Sequence, residues 1–196
     1  MLVIAFWQLT GLAEIYDPVW MIAGYKVSTL AFWAYYVLGI LTGILTVVLA
    51  LALQERMQAE APNLMRLAVI AASAYSALFI TTMIGGFFRN ILLTGMSDMS
   101  AFRTFLVQHE FLGNAAISIL GWAFLMIGCA ALRTRALPWT LGFVILAYGI
   151  VSIVQFAFAV SKVHAGFALD AVLGLVVFVW LGVALLRNPE PIPART

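Results

Sequence analysis

Hydrophobic residues occur along this chain in long unbroken runs separated by short polar segments. Five runs are long enough to cross a bilayer, because a hydrocarbon core of about 30 Å requires about 20 helical residues at 1.5 Å each. A further apolar run, residues 1–13, is shorter and ends at Glu14, Asp17 and Pro18. The pattern predicts an all-α, polytopic transmembrane helix bundle of about six spans. The long predicted spans are residues 29–53, 65–93, 111–132, 137–160 and 165–186.

The short first run leaves two structures open. Residues 1–13 form either a thin or tilted first span or a helix that lies at the membrane interface, and we favour the span. The runs together predict one transmembrane domain over residues 1–187. A short cytoplasmic tail with three prolines follows over residues 188–196.

The distribution of basic residues predicts the orientation of the bundle. Successive connections lie on alternate sides of a membrane, and one side holds six basic residues against four on the other. The positive-inside rule places the richer side in the cytoplasm. The C-terminus is therefore predicted inside, and so is Met1 if there are six spans, whereas five spans would place Met1 outside. The richer side holds Arg56, Arg66, Arg133, Arg135, Arg187 and Arg195, and the other holds Lys26, Arg89, Arg103 and Lys162.

The composition agrees with a membrane protein and excludes several other classes. Hydrophobic residues make up 65% of the chain and charged residues 9%, whereas a soluble domain carries about 25% charged residues. The net charge of +2 and the lack of a basic patch mixed with aromatics argue against nucleic acid as a partner. The single cysteine, Cys129, cannot form an intramolecular disulfide and is interpreted as a small core residue.

Small residues mark expected close approaches between helices. Gly39 and Gly43 form a G-x-x-x-G pattern in the span 29–53, and Ala72 and Ser76 have the same spacing in the next span. Helices in lipid associate through such small residues. We expect the glycines to pack two helices of this bundle together rather than to form a dimer.

Polar residues in the spans concentrate towards the predicted outer side. Asp170, Asn114 and Gln155 lie inside spans, and basic, acidic and histidine residues flank them at the boundary. Ionisable and polar groups in a membrane are costly and often functional. The distribution predicts a polar-lined cavity that opens outward. The candidate ligand-binding residues are Asp170, Asn114, Gln155, Arg89, His109 and His164.

Two carboxylates are the candidate catalytic residues, although no known catalytic motif is present. Asp170 either forms an ion pair with Lys162, Arg89 or Arg103 that holds helices together, or handles protons or binds a ligand. Glu110 shares a helix face with the asparagine four residues later. Acid–base catalysis would require Asp170 and Glu110 to face one cavity.

The two histidines allow a metal or haem site only as a minor alternative. His109 and His164 lie on separate segments at similar predicted depth, and two imidazoles can ligate one haem or metal ion. We favour instead that both histidines hydrogen-bond to backbone or lipid at the interface. The sequence therefore predicts no cofactor.

The second half of the chain carries short motifs in a basic hairpin and near the end of the last span. They are RTRALPWTLG at residues 133–142, WLG at 180–182 and LLR at 185–187. In these motifs the chain resembles a family of small bacterial multi-span membrane proteins known only as a domain of unknown function. The resemblance implies a bundle in a bacterial inner membrane and supplies no activity and no functional residues. The short run at residues 1–13 departs from that family, whose first span is full length.

Three functions are compatible with the sequence. The first is a module that binds a small hydrophobic or lipid-like ligand in the outer polar layer. The second is an accessory subunit of a larger membrane complex, since the connections are short and contacts would involve lipid-facing helices. The third is a membrane enzyme that acts on a lipid or isoprenoid. The expected partners are membrane lipids, a lipid-like small molecule, and other membrane proteins or a second copy of the chain.

Overall fold

The structure, a computed structural model, describes residues 29–93, 99–160 and 166–187. Within these ranges all regular secondary structure is helical, which confirms the predicted all-α bundle. The predicted first span, residues 1–13, and the tail, residues 188–196, lie outside the described residues. The helices are α1 (Thr29–Met57), α2 (Pro62–Leu93), α3 (Met99–Thr134), α4 (Trp139–Val160) and α5 (Gly166–Arg187).

Within the described part of the chain, four helices contain segments that are long and apolar enough to cross a membrane. These segments are Trp33–Met57, Pro62–Phe88, Phe111–Thr134 and Trp139–Phe156. In α5 the apolar segment within the described side chains, Val172–Arg187, is shorter. The fold is thus that of a polytopic membrane protein, and each of the five long predicted spans corresponds to a helix.

Helix α3 begins before its predicted span, whereas α2 ends at Leu93 as predicted. The span was expected from residue 111, but α3 begins at Met99, so the added helical segment is residues 99–110. This segment contains no proline, so nothing in it forbids helical hydrogen bonding. At 1.5 Å per residue, the 36 residues of α3 extend about 54 Å, well beyond a hydrocarbon core of about 30 Å.

Each helix packs against its neighbours along the chain, and α3 lies between α2 and α4. Phe124 of α3 is central to the core. Its ring meets the ring of Tyr148 in α4 edge-on at 5.0 Å between centroids, and the ring of Phe178 in α5 at 5.5 Å. The same cluster contains Leu53 of α1 and Tyr75 of α2. The core therefore joins all five described helices.

The predicted G-x-x-x-G contact is confirmed as a contact within the bundle. A Cβ added to Gly39 would lie 2.6 Å from the sulfur of Met83, and one added to Gly43 would lie 2.9 Å from Cγ1 of Ile80 and 3.4 Å from Oγ of Ser76. Both glycines therefore face α2. The missing side chains allow α1 and α2 to approach closely.

A tight hairpin joins α3 to α4, as predicted. Arg135 has a φ of 54°, the left-handed conformation that commonly ends a helix. Its N–H donates to the carbonyl of Ala131 at 2.9 Å, and the N–H of Ala136 donates to the hydroxyl oxygen of Thr134 at 3.3 Å. Leu137 is buried in the core, which fixes the hairpin against the bundle. We call this the hairpin end and the opposite one the outer end.

Candidate functional site

Three polar residues form a line along one face of α4. Tyr148, Ser152 and Gln155 are separated by four and three residues, so they lie on the same side of the helix. None of the three side chains is more than 3% exposed. Since Tyr148 packs against Phe124, this face is turned to the bundle interior. We call these three residues the α4 polar line, and Gln155 is its member nearest the outer end.

Gln155 carries a buried polar atom, Oε1, to which none of the described residues donates a hydrogen bond. An unsatisfied buried acceptor costs about 1–3 kcal/mol, and such atoms are rare in folded proteins. A donor from a bound molecule or an ordered water would satisfy it. Gln155 is therefore the strongest indication of a binding site in the described part of the chain.

Two other buried polar side chains, Thr46 and Thr82, form hydrogen bonds within their own helices. The hydroxyl of Thr46 donates to the carbonyl of Thr42 at 2.8 Å, and that of Thr82 donates to the carbonyl of Leu78 at 2.8 Å. These hydroxyls need no external partner, because the helix supplies one four residues earlier. Gln155 differs from them, since Oε1 is an acceptor that takes no hydrogen bond from its own helix.

Contacts between α3 and α4 show how far Gln155 lies along the helices from the outer end. A Cβ added to Gly121 would lie 2.9 Å from both the backbone N and Cγ1 of Ile153. Gln155 follows Ile153 by two residues and therefore lies slightly nearer the outer end. The aromatic rings of Phe111 and Phe156, 5.8 Å apart between centroids, lie further towards that end of the same helix pair.

Asn114 is also buried, at 7% exposure, and it belongs to the same pair of helices. It precedes Gly121 by seven residues, close to two full turns, so both residues lie on nearly the same face of α3. Gly121 contacts α4, and Asn114 therefore faces α4 nearer the outer end. The structure thus places two predicted ligand-binding residues, Asn114 and Gln155, in the outer half of α3 and α4.

His109 lies at a different place, where α1, α2 and α3 meet. A Cβ added to Gly86 would lie 2.8 Å from Cε1 of His109 and 3.2 Å from the hydroxyl oxygen of Tyr36. Tyr36 is buried and its ring packs edge-on against Phe87. His109 precedes Asn114 by five residues, which places it about 140° around α3. The two residues therefore face different neighbours.

The remaining predicted site residues are located only in part. Arg89 lies in α2, Glu110 in α3 and Asp170 in α5, but their side chains are outside the described part of the structure. His164 lies outside the described residues altogether. The catalytic pair Asp170 and Glu110, and the possible haem or metal pair of histidines, therefore stay predictions. Among the side chains described, no group of three or more His, Cys, Asp or Glu could hold a metal ion.

Sequence reasoning missed most of the α4 polar line and the environment of His109. Tyr148 and Ser152 precede Gln155 at helical spacing, and this periodicity could have predicted one polar face. No prediction from the sequence placed Tyr36 near His109. Its approach to His109 depends on how three helices pack, and no local pattern in the chain indicates that.

Comparisons with protein-family models, with curated proteins and with solved structures found no match. The resemblance of the second half to a bacterial family of unknown function therefore gains no support from them. The fold and composition define the class of protein, a membrane-embedded all-α bundle.

Proposed function

We propose that this bundle binds a small lipid-like molecule whose polar head donates a hydrogen bond to Gln155. The observation that carries the proposal is the buried Oε1 atom, to which no described residue donates. A carbonyl oxygen accepts hydrogen bonds and cannot donate them. A head group that satisfies Oε1 must therefore carry an O–H or N–H, as alcohols and amines do. A deprotonated carboxylate has no hydrogen to donate to this atom.

The surroundings of Gln155 support an amphiphilic ligand. Ligand sites are mostly apolar with a few polar groups that orient the ligand. Phe111 and Phe156 lie towards the outer end, and Asn114 supplies a second buried amide there. An apolar chain with one polar head matches this combination better than a hydrophilic molecule does.

We further propose that the hairpin end faces the cytoplasm of a bacterial cell and that the protein lies in the inner membrane. Five arginines of the described residues lie at that end against two glutamates, in agreement with the positive-inside rule. The outer end then faces the periplasm, and the ligand enters from the outer leaflet. The five arginines are Arg56, Arg66, Arg133, Arg135 and Arg187.

The test compares three ligands with the same twelve-carbon chain on the full-length protein in mild detergent. Dodecanol and dodecylamine carry donor heads, whereas dodecanoate carries an anionic head. We expect the first two to raise the thermal unfolding temperature and dodecanoate to have no such effect. Gln155→Leu should abolish the response. Equal stabilisation by all three compounds, or an unchanged response in Gln155→Leu, would contradict the proposal.

The matched control for that experiment is Gln108→Leu. Gln108 lies near the outer end of α3 and is exposed, so the same chemical change is made outside the buried line. The control variant should respond to dodecanol like the unmodified protein. Mass spectrometry of lipids that co-purify with the two variants would then identify the natural ligand by its loss from Gln155→Leu alone.

One observation favours the accessory-subunit function as a second candidate. Trp122 lies near the middle of the apolar segment Phe111–Thr134 and is 51% exposed. Tryptophan normally lies at the membrane interface, where its N–H can be hydrated. A neighbouring protein helix would supply both a surface and an acceptor. Native mass spectrometry should then show a complex that Trp122→Leu dissociates. The complex should stay intact in Trp180→Leu, which changes a less exposed tryptophan of α5, at 37% exposure.

A further inference from the structure

We propose that the turn between α3 and α4 binds the head group of an anionic phospholipid. The site consists of Arg133, Arg135 and Trp139, and we call it the hairpin site. It lies at the end of the bundle opposite Gln155, so it is independent of the ligand site proposed above. The occupant is a membrane lipid of the adjacent leaflet.

The backbone of Arg135 gives the first reason. Its φ of 54° lies in the left-handed region, where glycine is the residue without steric cost. Residues held in such sparsely populated conformations often belong to functional sites. The conformation ends α3 and leaves the side chain of Arg135 exposed. Arg133, two residues earlier, is exposed as well.

The charge balance at this end gives the second reason. The described side chains there comprise five arginines and only two glutamates, Glu55 and Glu60. Arg56 is already used within the fold, since its Nη2 donates to the carbonyl of Leu185 at 3.1 Å and so links α1 to α5. Arg133 and Arg135 are the exposed pair closest together along the chain. A planar guanidinium binds phosphate oxygens with two hydrogen bonds.

Trp139 identifies the phosphate as that of a lipid rather than a free ion. Its indole is 69% exposed and packs edge-on against Phe143 at 5.3 Å between ring centroids. Phe143 is itself 50% exposed, so an apolar surface continues from Trp139 along α4. Indoles in this position lie at the level of lipid head groups. A phosphate held by the arginines would have its acyl chains beside Trp139 and Phe143.

The hairpin is also held rigidly enough to form a defined site. Leu137, between the arginines and Trp139, is 6% exposed and belongs to the main core. The hydrogen bond from the Arg135 N–H to the Ala131 carbonyl fixes the end of α3. Because the turn is anchored, the backbone positions from which the two arginine side chains extend are fixed relative to the bundle.

The experiment measures lipid binding to the full-length protein in detergent by native mass spectrometry. Phosphatidylglycerol is titrated against phosphatidylcholine with the same acyl chains. We expect the protein to prefer phosphatidylglycerol. In the double variant R133Q/R135Q, the affinity ratio between the two lipids should fall roughly tenfold. The matched control is R66Q/R187Q, which removes the same charge at the same end outside the hairpin and should keep the preference.

Two outcomes would overturn the proposal. An equal loss in both double variants would show that the preference reflects overall charge at this end. Displacement of phosphatidylglycerol by inorganic phosphate at similar concentration would show that the arginines bind an anion without the lipid. The variant Arg135→Gly is a control for misfolding, because glycine adopts the left-handed backbone conformation without steric cost. It should lose part of the preference while its thermal unfolding temperature stays the same or rises.

Discussion

Gly121 of α3 and Gly149 of α4 bring the backbones of their helices into direct contact. A Cβ added to Gly121 would lie 2.7 Å from the carbonyl oxygen of Gly149, and one added to Gly149 would lie 2.8 Å from that of Gly121. Real Cβ atoms do not approach a backbone oxygen so closely, and the oxygens belong to rigid helices. The two helices can therefore hold this separation only without side chains at these positions.

Alanine at either position should separate α3 from α4. We expect Gly121→Ala and Gly149→Ala each to lower the free energy of unfolding by about 1–3 kcal/mol, the usual cost of overpacking. The measurement is reversible unfolding in mixed detergent micelles, followed by circular dichroism. Because both substitutions break the same contact, the double variant should lose less than the sum of the single losses.

The controls for this prediction are Gly113→Ala and Gly182→Ala. A Cβ at either position would meet no atom within 4 Å. Alanine is the better helix former by about 0.8–1.0 kcal/mol, so these variants should be neutral or slightly more stable. Equal destabilisation by all four substitutions would mean that backbone flexibility matters rather than the close approach of the helices.

The contrast between these glycines shows what the sequence could predict. The five long apolar runs correspond to five helices because length and hydropathy alone determine that a segment spans. The G-x-x-x-G of Gly39 and Gly43 was predicted to pack within the bundle, since both glycines lie on one helix face. Gly121 and Gly149 lie in different helices, and nothing local indicates that they face each other. Their contact follows from the relative packing of α3 and α4.

The candidate site was predictable to a similar extent. Asn114 and Gln155 were identified because amides are unusual inside apolar runs, and both are buried. The candidate ligand-binding residues were expected to line one cavity, whereas His109 and Asn114 face different neighbours. Their separation follows from a five-residue spacing on one helix. The unsatisfied acceptor of Gln155 depends on every side chain around it and could not be inferred from the chain.

Gly86 provides a second test of close packing, at a position where the neighbouring atoms belong to side chains and not to the backbone. A Cβ there would lie 2.8 Å from the imidazole of His109 and 2.9 Å from the ring of Tyr36. Both obstacles are side chains, which can move, so Gly86→Ala should cost less stability than Gly121→Ala. Its clearest effect should be on the environment of His109. The chain contains only two histidines, so NMR of isotope-labelled histidine can resolve the change.

The adjacent glycine is the control for that experiment. A Cβ at Gly85 would meet nothing within 4 Å, and Gly85→Ala should leave both histidine resonances in place. A shift of the His109 resonance in Gly86→Ala but not in Gly85→Ala is the expected result. If neither variant shifts the His109 resonance, the contact between His109 and Gly86 of α2 is contradicted.

Replacing each of the two hairpin arginines with glycine should change the free energy of unfolding in opposite directions. Arg135→Gly relieves a left-handed conformation that costs an L-residue about 1–2 kcal/mol, although glycine also gains freedom when unfolded. The net effect should be a gain of up to about 1 kcal/mol in the free energy of unfolding. Arg133 lies within the last turn of α3, so Arg133→Gly should lose about 1 kcal/mol. A loss in both variants would contradict the left-handed assignment of Arg135.

The stability of Gln155 variants distinguishes two explanations of the unsatisfied Oε1 acceptor. Either it belongs to a ligand site, or it is a defect that the fold tolerates. Without ligand, Gln155→Leu removes the unsatisfied acceptor and should raise the free energy of unfolding by about 1–3 kcal/mol. Gln108→Leu, on the exposed side of α3, should change it by less than about 0.5 kcal/mol.

Adding dodecanol should reverse the order of stability. A ligand that binds only the folded state stabilises it by about 2.7 kcal/mol at a hundred times its Kd, and only the unmodified protein can gain this. If dodecanol leaves Gln155→Leu the more stable protein at every concentration, the unsatisfied Oε1 atom is a tolerated defect and not part of a ligand site. A reversal of order would show that the unsatisfied acceptor is kept for its ligand.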